Sequence, residues 1–222
     1  MTIPAAQLWI DDAPRSSSTG QTFDVISSGT QAVVSRAARA SSKDAVAAIE
    51  AASAAQPEWE ATSPSIKRAI FIKAAELIQG PKYAQRVVET VQAEISATAD
   101  WAAFEIKAIV TYFLRAAVVA TSLRGEVMPS EYGSGGTVIS ERRPWGTVFG
   151  ISPFNAPVTL AGRSVATPIA CGNTVVLKSS EVSPRCAELV VEVLYEVCMP
   201  CGSSPWIGYD QCHCRLACQK TC

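Results

Sequence analysis

Residues 144–181 read PWGTVFGISPFNAPVTLAGRSVATPIACGNTVVLKSSE. Apolar and polar residues alternate across Thr147–Ile151, the two-residue period of a strand. Pro153 and Pro157 then bracket the turn Phe154-Asn155-Ala156. Residues 158–169 carry a helical pattern, and Gly172 is placed to stop it. NTVVLK, residues 173–178, is a short β-branched run of the kind that forms a buried parallel strand. Ser183-Pro184 opens a second helical stretch, RCAELVVEVLYEV. Strand, helix, strand, helix in this order predicts a right-handed βαβ crossover in a doubly wound sheet. Such sheets take ligands in the crevice at the carboxyl ends of their strands. The turn holding Asn155 and the residues around Lys178 are therefore the first places to look for a site.

Upstream of this stretch the pattern is different. Residues 7–40 alternate short apolar pieces (LWI, FDVI, AVV) with polar turns, SSSTG and SSGT, and read as a meander or hairpin of short strands. Ser41-Ser42-Lys43-Asp44 has the form of a capping box and begins the helical run DAVAAIEAASAAQ, with Val46, Ile49 and several alanines expected on one side. Ser63-Pro64 opens a second helix on which Ile66, Ile70, Ala74 and Leu77 recur at helical spacing, closed by Gly80-Pro81. A short helix around Tyr83–Thr90 and a long one from Ile95 to Leu123 follow. Arg124-Gly125 is expected to end the long helix, with the cation favoured by the carboxyl-terminal dipole. A strand at Thr137–Ser140 separates this helical layer from the segment quoted above.

Composition narrows the function classes. Of the 222 residues 48% are hydrophobic and 18% charged, enough apolar surface for a buried core. A formal net charge of −1 provides no global field for nucleic acid or an anionic membrane. The amino terminus, MTIPAAQLWIDDAPR, lacks the basic and apolar regions of a signal peptide. The longest apolar stretch, Ala108–Leu123, is interrupted by Arg115 and is short for a membrane span. These features predict a soluble, cytoplasmic protein that contacts neither nucleic acid nor membrane. Of eight cysteines, Cys171 and Cys186 lie in the body, whereas Cys198, Cys201, Cys212, Cys214, Cys218 and Cys222 crowd the last 25 residues. That tail shows neither helical nor strand periodicity.

The quoted stretch resembles the aldehyde dehydrogenase superfamily, whose members show P-x-G, then I-x-P-W-N-x-P, a helix, and A-x-G-N-T-V-V-x-K-P-S-E. The matching pieces here are Pro144-Trp145-Gly146, Ile151-Ser152-Pro153-Phe154-Asn155-Ala156-Pro157, and Ala170 through Glu181. The resemblance extends over residues 8–202. It implies an α/β fold, the amino-terminal part of the aldehyde dehydrogenase fold, with an incomplete Rossmann-like parallel sheet and helices. Four segments are expected: strands and a helical layer (1–132), an oligomerisation-arm-like strand (133–143), the start of the NAD-binding βαβ sheet (144–202) and an aberrant cysteine-rich tail (203–222).

The resemblance also assigns roles. Asn155 becomes the side-chain donor to a developing oxyanion, whereas the residues alone favour a turn-forming asparagine between two prolines. Ile151, Ser152, Pro153 and Phe154 flank the nicotinamide half of the cofactor. Lys178, Ser180 and Glu181 surround the adenosine ribose, although a lysine and a glutamate three residues apart also make an ordinary surface ion pair. A carboxylate at Glu181 repels a 2′-phosphate and favours NAD over NADP. Ser179 departs from the family's proline. The pattern around Arg163 looks most like the salicylaldehyde, benzaldehyde and vanillin dehydrogenases. Arg163, expected one helical turn below Asn155, is a candidate to hold an aromatic aldehyde, with a solvated arginine or a structural salt bridge as the alternative.

In the family the catalytic cysteine, the glutamate base and the glycine-rich helix that faces the pyrophosphate belong to later segments. Cys171 precedes a helix-stopping glycine and reads as a packing residue, and His213, the single histidine, lies in the tail. The chain is therefore expected to be inactive alone and to bind NAD weakly. Where the family continues A-G-x-P-x-G-V-x-N, this sequence has Cys198-Met199-Pro200-Cys201-Gly202 and then diverges, as a shifted frame or retained intron would produce. Two further readings follow: a non-catalytic isoform that pairs with full-length subunits, and a regulatory or metal-binding module built on the cysteine-rich tail. The tail lacks a standard zinc-ligand spacing, so no metal is expected.

Overall fold

The structure is a computed structural model that describes residues 3–11, 13–133, 135–198 and the backbone of 216–219. The amino-terminal pieces form five short strands: β1 (Ala5–Ala6), β2 (Leu8–Ile10), β3 (Ala13–Arg15), β4 (Thr22–Ile26) and β5 (Val33–Ala38). Four helices follow: α1 (Ser42–Ala61), α2 (Pro64–Gln79), α3 (Pro81–Ile95) and α4 (Ala99–Ser122). The ribbon β6 (Glu126–Pro129) and β7 (Thr137–Ser140) leads to β8 (Thr147–Ile151), α5 (Pro157–Ala170), β9 (Thr174–Lys178) and α6 (Pro184–Cys198), with β10 (Leu216–Gln219) last.

Three sheets result. One has the order β1-β5-β4, one is the β6-β7 ribbon, and the largest runs β3-β2-β10-β9-β8. In the largest, β8, β9 and β10 are mutually parallel, whereas β2 and β3 are antiparallel. The expected β8–α5–β9 unit is present in a mixed α/β fold with a partly parallel sheet. In the tail, where no periodicity predicts a strand, β10 lies between β9 and β2. Its main chain continues the β9 ladder from Leu216↔Val175 to Gln219↔Lys178. Backbone pairing of this kind requires no side-chain pattern, which is why periodicity did not announce the strand.

Helix boundaries follow local chemistry. Ser41 and Asp44 form the expected capping box on α1. The buried face of α1, however, is Ala48, Ala52, Ala55 and Trp59, whereas Val46 and Ile49 are half exposed. Small side chains let the helix approach the sheet closely: Thr174 Oγ1 donates to the Ala52 carbonyl at 2.9 Å. The helix runs on through Pro57 because Trp59 beyond it is buried and donates its indole N–H to the Ile169 carbonyl at 3.0 Å. Helix α3 is longer than its expected core and ends where Ser96 takes a left-handed conformation, φ 55°. A new cap at Thr98 then starts α4 four residues later than Ile95. Helix α4 stops at Ser122, and Gly125 serves the ribbon instead of the helix end: a Cβ there would collide with the Ser140 carbonyl oxygen.

One apolar cluster joins the layers. Phe71 and Ile78 of α2, Ile109 and Phe113 of α4, Val165 and Ile169 of α5, Val175 and Leu177 of β9, and Val190 and Leu194 of α6 belong to it. Among the described residues no helix is long and apolar enough to cross a membrane.

Candidate functional site at the carboxyl ends of the parallel strands

Ile151, the last residue of β8, is in register with Lys178, the last residue of β9. The loops that leave these strands therefore emerge at the same end of the sheet, and the Ser152 N–H donates to the Lys178 carbonyl at 2.9 Å. Asn155 sits on the first loop, exposed, with no hydrogen-bond partner for its amide among the described residues. Ile151, Pro153 and Phe154 are exposed beside it, and Ser152 is buried.

On the second loop the Lys178 side chain is mostly buried. Its Nζ donates to the Ser179 carbonyl at 3.3 Å and lies 3.7 Å from a carboxylate oxygen of the exposed Glu181. Ser180 is buried and its hydroxyl accepts the Val182 N–H at 3.2 Å, so it shapes the turn from inside. The Ser179 and Ser183 hydroxyls are buried without a partner among the described residues. Arg163 lies six residues beyond the start of α5, ~9 Å along the axis. That is further than the single turn expected. It is exposed and forms no ion pair among the described residues.

Two carboxylates that the sequence reading missed hold these loops in place. Helix α5 begins at Pro157 with Ala156 as its cap, a residue with no side-chain acceptor. The acceptor comes from α4: Glu105 Oε2 receives the Val158 and Thr159 N–H groups at 2.9 and 3.0 Å. Glu105 is fully buried. Burial pushes its carboxyl above the usual range, and the two amides pull against that. Helix α6 is served in the same way from α3: Glu94 Oε1 receives the Arg185 N–H at 3.1 Å and Oε2 the Cys186 N–H at 3.2 Å. Each carboxylate thus satisfies helix-end donors that would otherwise be buried and orphaned. The available sequence signal was a glutamate set in an apolar stripe, such as Ala102-Glu105-Ile109-Phe113.

On the exposed side of α4, Trp101 and Phe104 stack with ring centroids 5.3 Å apart. The Trp101 indole lies close enough to Glu105 to favour its charged form. An aromatic pair is thereby tied to the start of α5.

Cys171 caps the far end of α5, half buried, with its thiol raised by burial and partly lowered by the Lys67 charge. It precedes β9, whereas Asn155 follows β8, so the length of a five-residue strand, roughly 15 Å, separates them. Cys186 is fully buried, and burial together with Glu94 and Glu105 raises its thiol well above the usual value. Among the described residues no group of three or more histidine, cysteine, aspartate or glutamate side chains could hold a metal ion. The tail cysteines beyond Cys198 lie outside the described side chains.

The sequence matches the aldehyde dehydrogenase family over residues 15–206, and the chain belongs to that family. It is 44% identical over 191 residues to a vanillin dehydrogenase from Pseudomonas sp. (strain HR199 / DSM 7063), covering 85% of this chain and 38% of that protein. It is 35% identical over 198 residues to a salicylaldehyde dehydrogenase from Pseudomonas putida, covering 88% of this chain and 40% of the other. The fold superposes on the crystal structure of a salicylaldehyde dehydrogenase from Pseudomonas putida G7 complexed with salicylaldehyde. The TM-score is 0.87 at 30% identity, with 99% of this chain and 42% of that one covered. The chain thus spans about two fifths of the length of these relatives, in agreement with a resemblance to one part of a full-length member.

Proposed function

We propose that this chain is the amino-terminal part of an NAD-dependent aldehyde dehydrogenase of the aromatic-aldehyde type and that it does not oxidise aldehydes on its own. The observation that carries this reading is the meeting of the Asn155 loop with Lys178 and Glu181 at the carboxyl ends of adjacent parallel strands. An unpartnered side-chain amide beside exposed apolar residues suits an oxyanion and a flat ring. A mostly buried lysine with a carboxylate beside it suits a ribose diol, so the residues fit the nucleotide. NAD, when bound, supplies the hydride acceptor. The chain's own part is to orient the adenosine ribose through Lys178, Ser180 and Glu181 and to polarise the aldehyde carbonyl through the Asn155 Nδ2–H.

The aromatic preference rests on the names of the similar proteins, vanillin and salicylaldehyde dehydrogenases, and on the exposed Trp101–Phe104 pair tied to the start of α5. Arg163, exposed on the same helix, is the polar contact proposed for a ring hydroxyl. NAD is preferred over NADP because the Glu181 carboxylate would face a 2′-phosphate. The β6–β7 ribbon, with Val127 and Ile139 72% and 67% exposed, is the surface proposed for pairing with a full-length subunit. A cytoplasmic location accords with this reading.

The aldehyde reaction needs a thiolate within reach of the carbonyl that Asn155 polarises. Of the described cysteines, Cys171 lies a strand's length from Asn155 and Cys186 is sealed in the core. The purified chain is therefore expected to form no NADH from benzaldehyde, salicylaldehyde or acetaldehyde. Turnover that disappears in Cys171→Ala or Cys186→Ala would overturn the reading. Calorimetry should show at most weak NAD binding, weakened further in Lys178→Ala; tight stoichiometric binding would refute that part.

A further inference from the structure

At the opposite end of the sheet, before β8 and β9 begin, α1, α2, α4 and α5 enclose a pocket of about 320 Å³. Four cationic side chains line it, Lys67, Arg124, Arg142 and Arg143, against two anionic ones, Glu60 and Glu141. Both carboxylates are engaged by the same cation: Arg143 lies 3.2 Å from Glu60 Oε1 and 3.2 Å from Glu141 Oε2. The second oxygen of Glu60 accepts from the Gln56 amide at 3.1 Å. Lys67, Arg124 and Arg142 have no carboxylate partner among the described residues. We infer that this pocket binds a small phosphate-bearing anion, with Lys67 at its floor and Arg124 and Arg142 at its mouth.

Lys67 is the observation that points to a ligand. Its residue is 7% exposed, yet its ammonium has one hydrogen bond, to the Glu60 carbonyl at 3.1 Å, and rests over the Trp59 ring at 5.3 Å. An ammonium has three donors, so two of them have no hydrogen-bond partner among the described residues. Burial lowers the Lys67 ammonium from its usual range, with Glu60 and Cys171 opposing that shift. Gly172 beside it holds φ +88°, a conformation that favours glycine, and brings its backbone close to the Lys67 Nζ.

The competing explanation is that the cations answer the carboxyl-terminal ends of α1, α4 and α5, which converge here. Each of those ends already has other donors for part of its carbonyls. Thr62 covers the Glu58 and Trp59 carbonyls of α1. Thr121 and Ser122 hydroxyls cover the Val118 carbonyl of α4. Cys171, Gly172, Asn173 and Trp59 cover those of α5. Of the four cations only Lys67 bonds a helix-end carbonyl. Arg124 and Arg142 remain for a dianion, which charge-assisted hydrogen bonds from arginine recognise well.

The test uses the whole chain and inorganic phosphate, with chloride holding ionic strength constant. Phosphate should raise the melting temperature saturably. It should also slow iodoacetamide alkylation of Cys171, read by peptide mass spectrometry, because neutralising Lys67 withdraws the charge that favours the thiolate. Arg124 and Arg142 are exposed, so Arg124→Gln/Arg142→Gln should melt normally in chloride while half-saturation by phosphate rises about tenfold. Lys67→Met should abolish the phosphate effect on Cys171. Glycerol 3-phosphate in parallel separates the sources: tighter binding than inorganic phosphate indicates a phosphate monoester, and equal binding indicates free phosphate. No phosphate effect, or an effect unchanged in the double variant, would overturn the proposal.

Discussion

Replacing Glu105 tests the contact that fixes the candidate site. Its Oε2 is the acceptor for both the Val158 and the Thr159 N–H, and nothing else caps α5. Glu105→Ala would strand two buried amide donors, each worth about 1–3 kcal/mol, and open a small cavity. Against this, the variant no longer buries a carboxyl whose second oxygen has no hydrogen-bond partner among the described residues. The net expectation is a loss of about 3 kcal/mol in urea unfolding followed by circular dichroism. Glu105→Gln keeps an acceptor oxygen and should stay within about 1 kcal/mol of the parent. The pH dependence supplies an independent sign. Burial raises the folded-state carboxyl above its unfolded value. The benefit of the protonated form is complete below the unfolded value and is lost as pH rises through the folded value. The parent should therefore lose stability relative to Glu105→Gln as pH rises from the acid side to neutrality. Equal stability of Glu105→Ala and the parent, or a drift of opposite sign, would refute the assignment of Glu105 as the cap of α5.

Other positions give further expectations. Asp44 is held at about 2, below its usual 3.8: burial works against its charge, but the Ser41 and Ser18 amides and the Ser17 and Ser18 hydroxyls outweigh it. Its stabilisation should be complete above pH 3.8 and fade as pH falls towards 2; Asp44→Asn should cost about 1 kcal/mol at neutral pH and flatten this limb in acid titration. A Cβ on Gly162 would meet Ile109 Cδ1 and Cγ1 at 2.6 Å. Overpacking of about 1–3 kcal/mol should outweigh the ~1 kcal/mol gained in helix propensity, so Gly162→Ala should lower the melting temperature and Ile109→Val should restore part of it. Asn173 Oδ1 accepts the Trp145 and Gly146 N–H groups at 2.7 and 3.1 Å, pinning the entry to β8. Asn173→Ala should therefore destabilise by about 2 kcal/mol in the same urea assay.

The βαβ unit was legible because its signals are local. Alternation across Thr147–Ile151, the β-branched run before Lys178 and the Gly172 stop each fix a backbone choice within a few residues. Helix starts were equally readable at Ser41, Ser63 and Pro184. Burial on α1 was misjudged because hydrophobicity pointed to Val46 and Ile49, whereas the close approach to the sheet selects alanine. Glu94 and Glu105 were missed because a sequence shows a carboxylate but not the helix end it faces; their partners lie 91 and 53 residues away. Strand β10 was missed because main-chain ladders need no side-chain pattern. The placement of Asn155 and Lys178 at one end of the sheet followed from order alone, since parallel strands joined by a helix must present their carboxyl ends together.

Those long-range carboxylates also explain how the two loops of the candidate site hold their shape. The Asn155 loop is anchored at one side by the Ser152–Lys178 backbone bond and at the other by Glu105 on α4. The Lys178 loop runs into α6, whose first turn is anchored by Glu94 on α3. Every one of these anchors lies between residues 94 and 186, in the helical layer and the first βαβ unit. Among the described residues Cys171 lies a strand's length from these loops and Cys186 is sealed in the core. A substitution such as Glu105→Ala should disturb the geometry of the Asn155 loop, and a structural readout of that loop tests the anchoring directly.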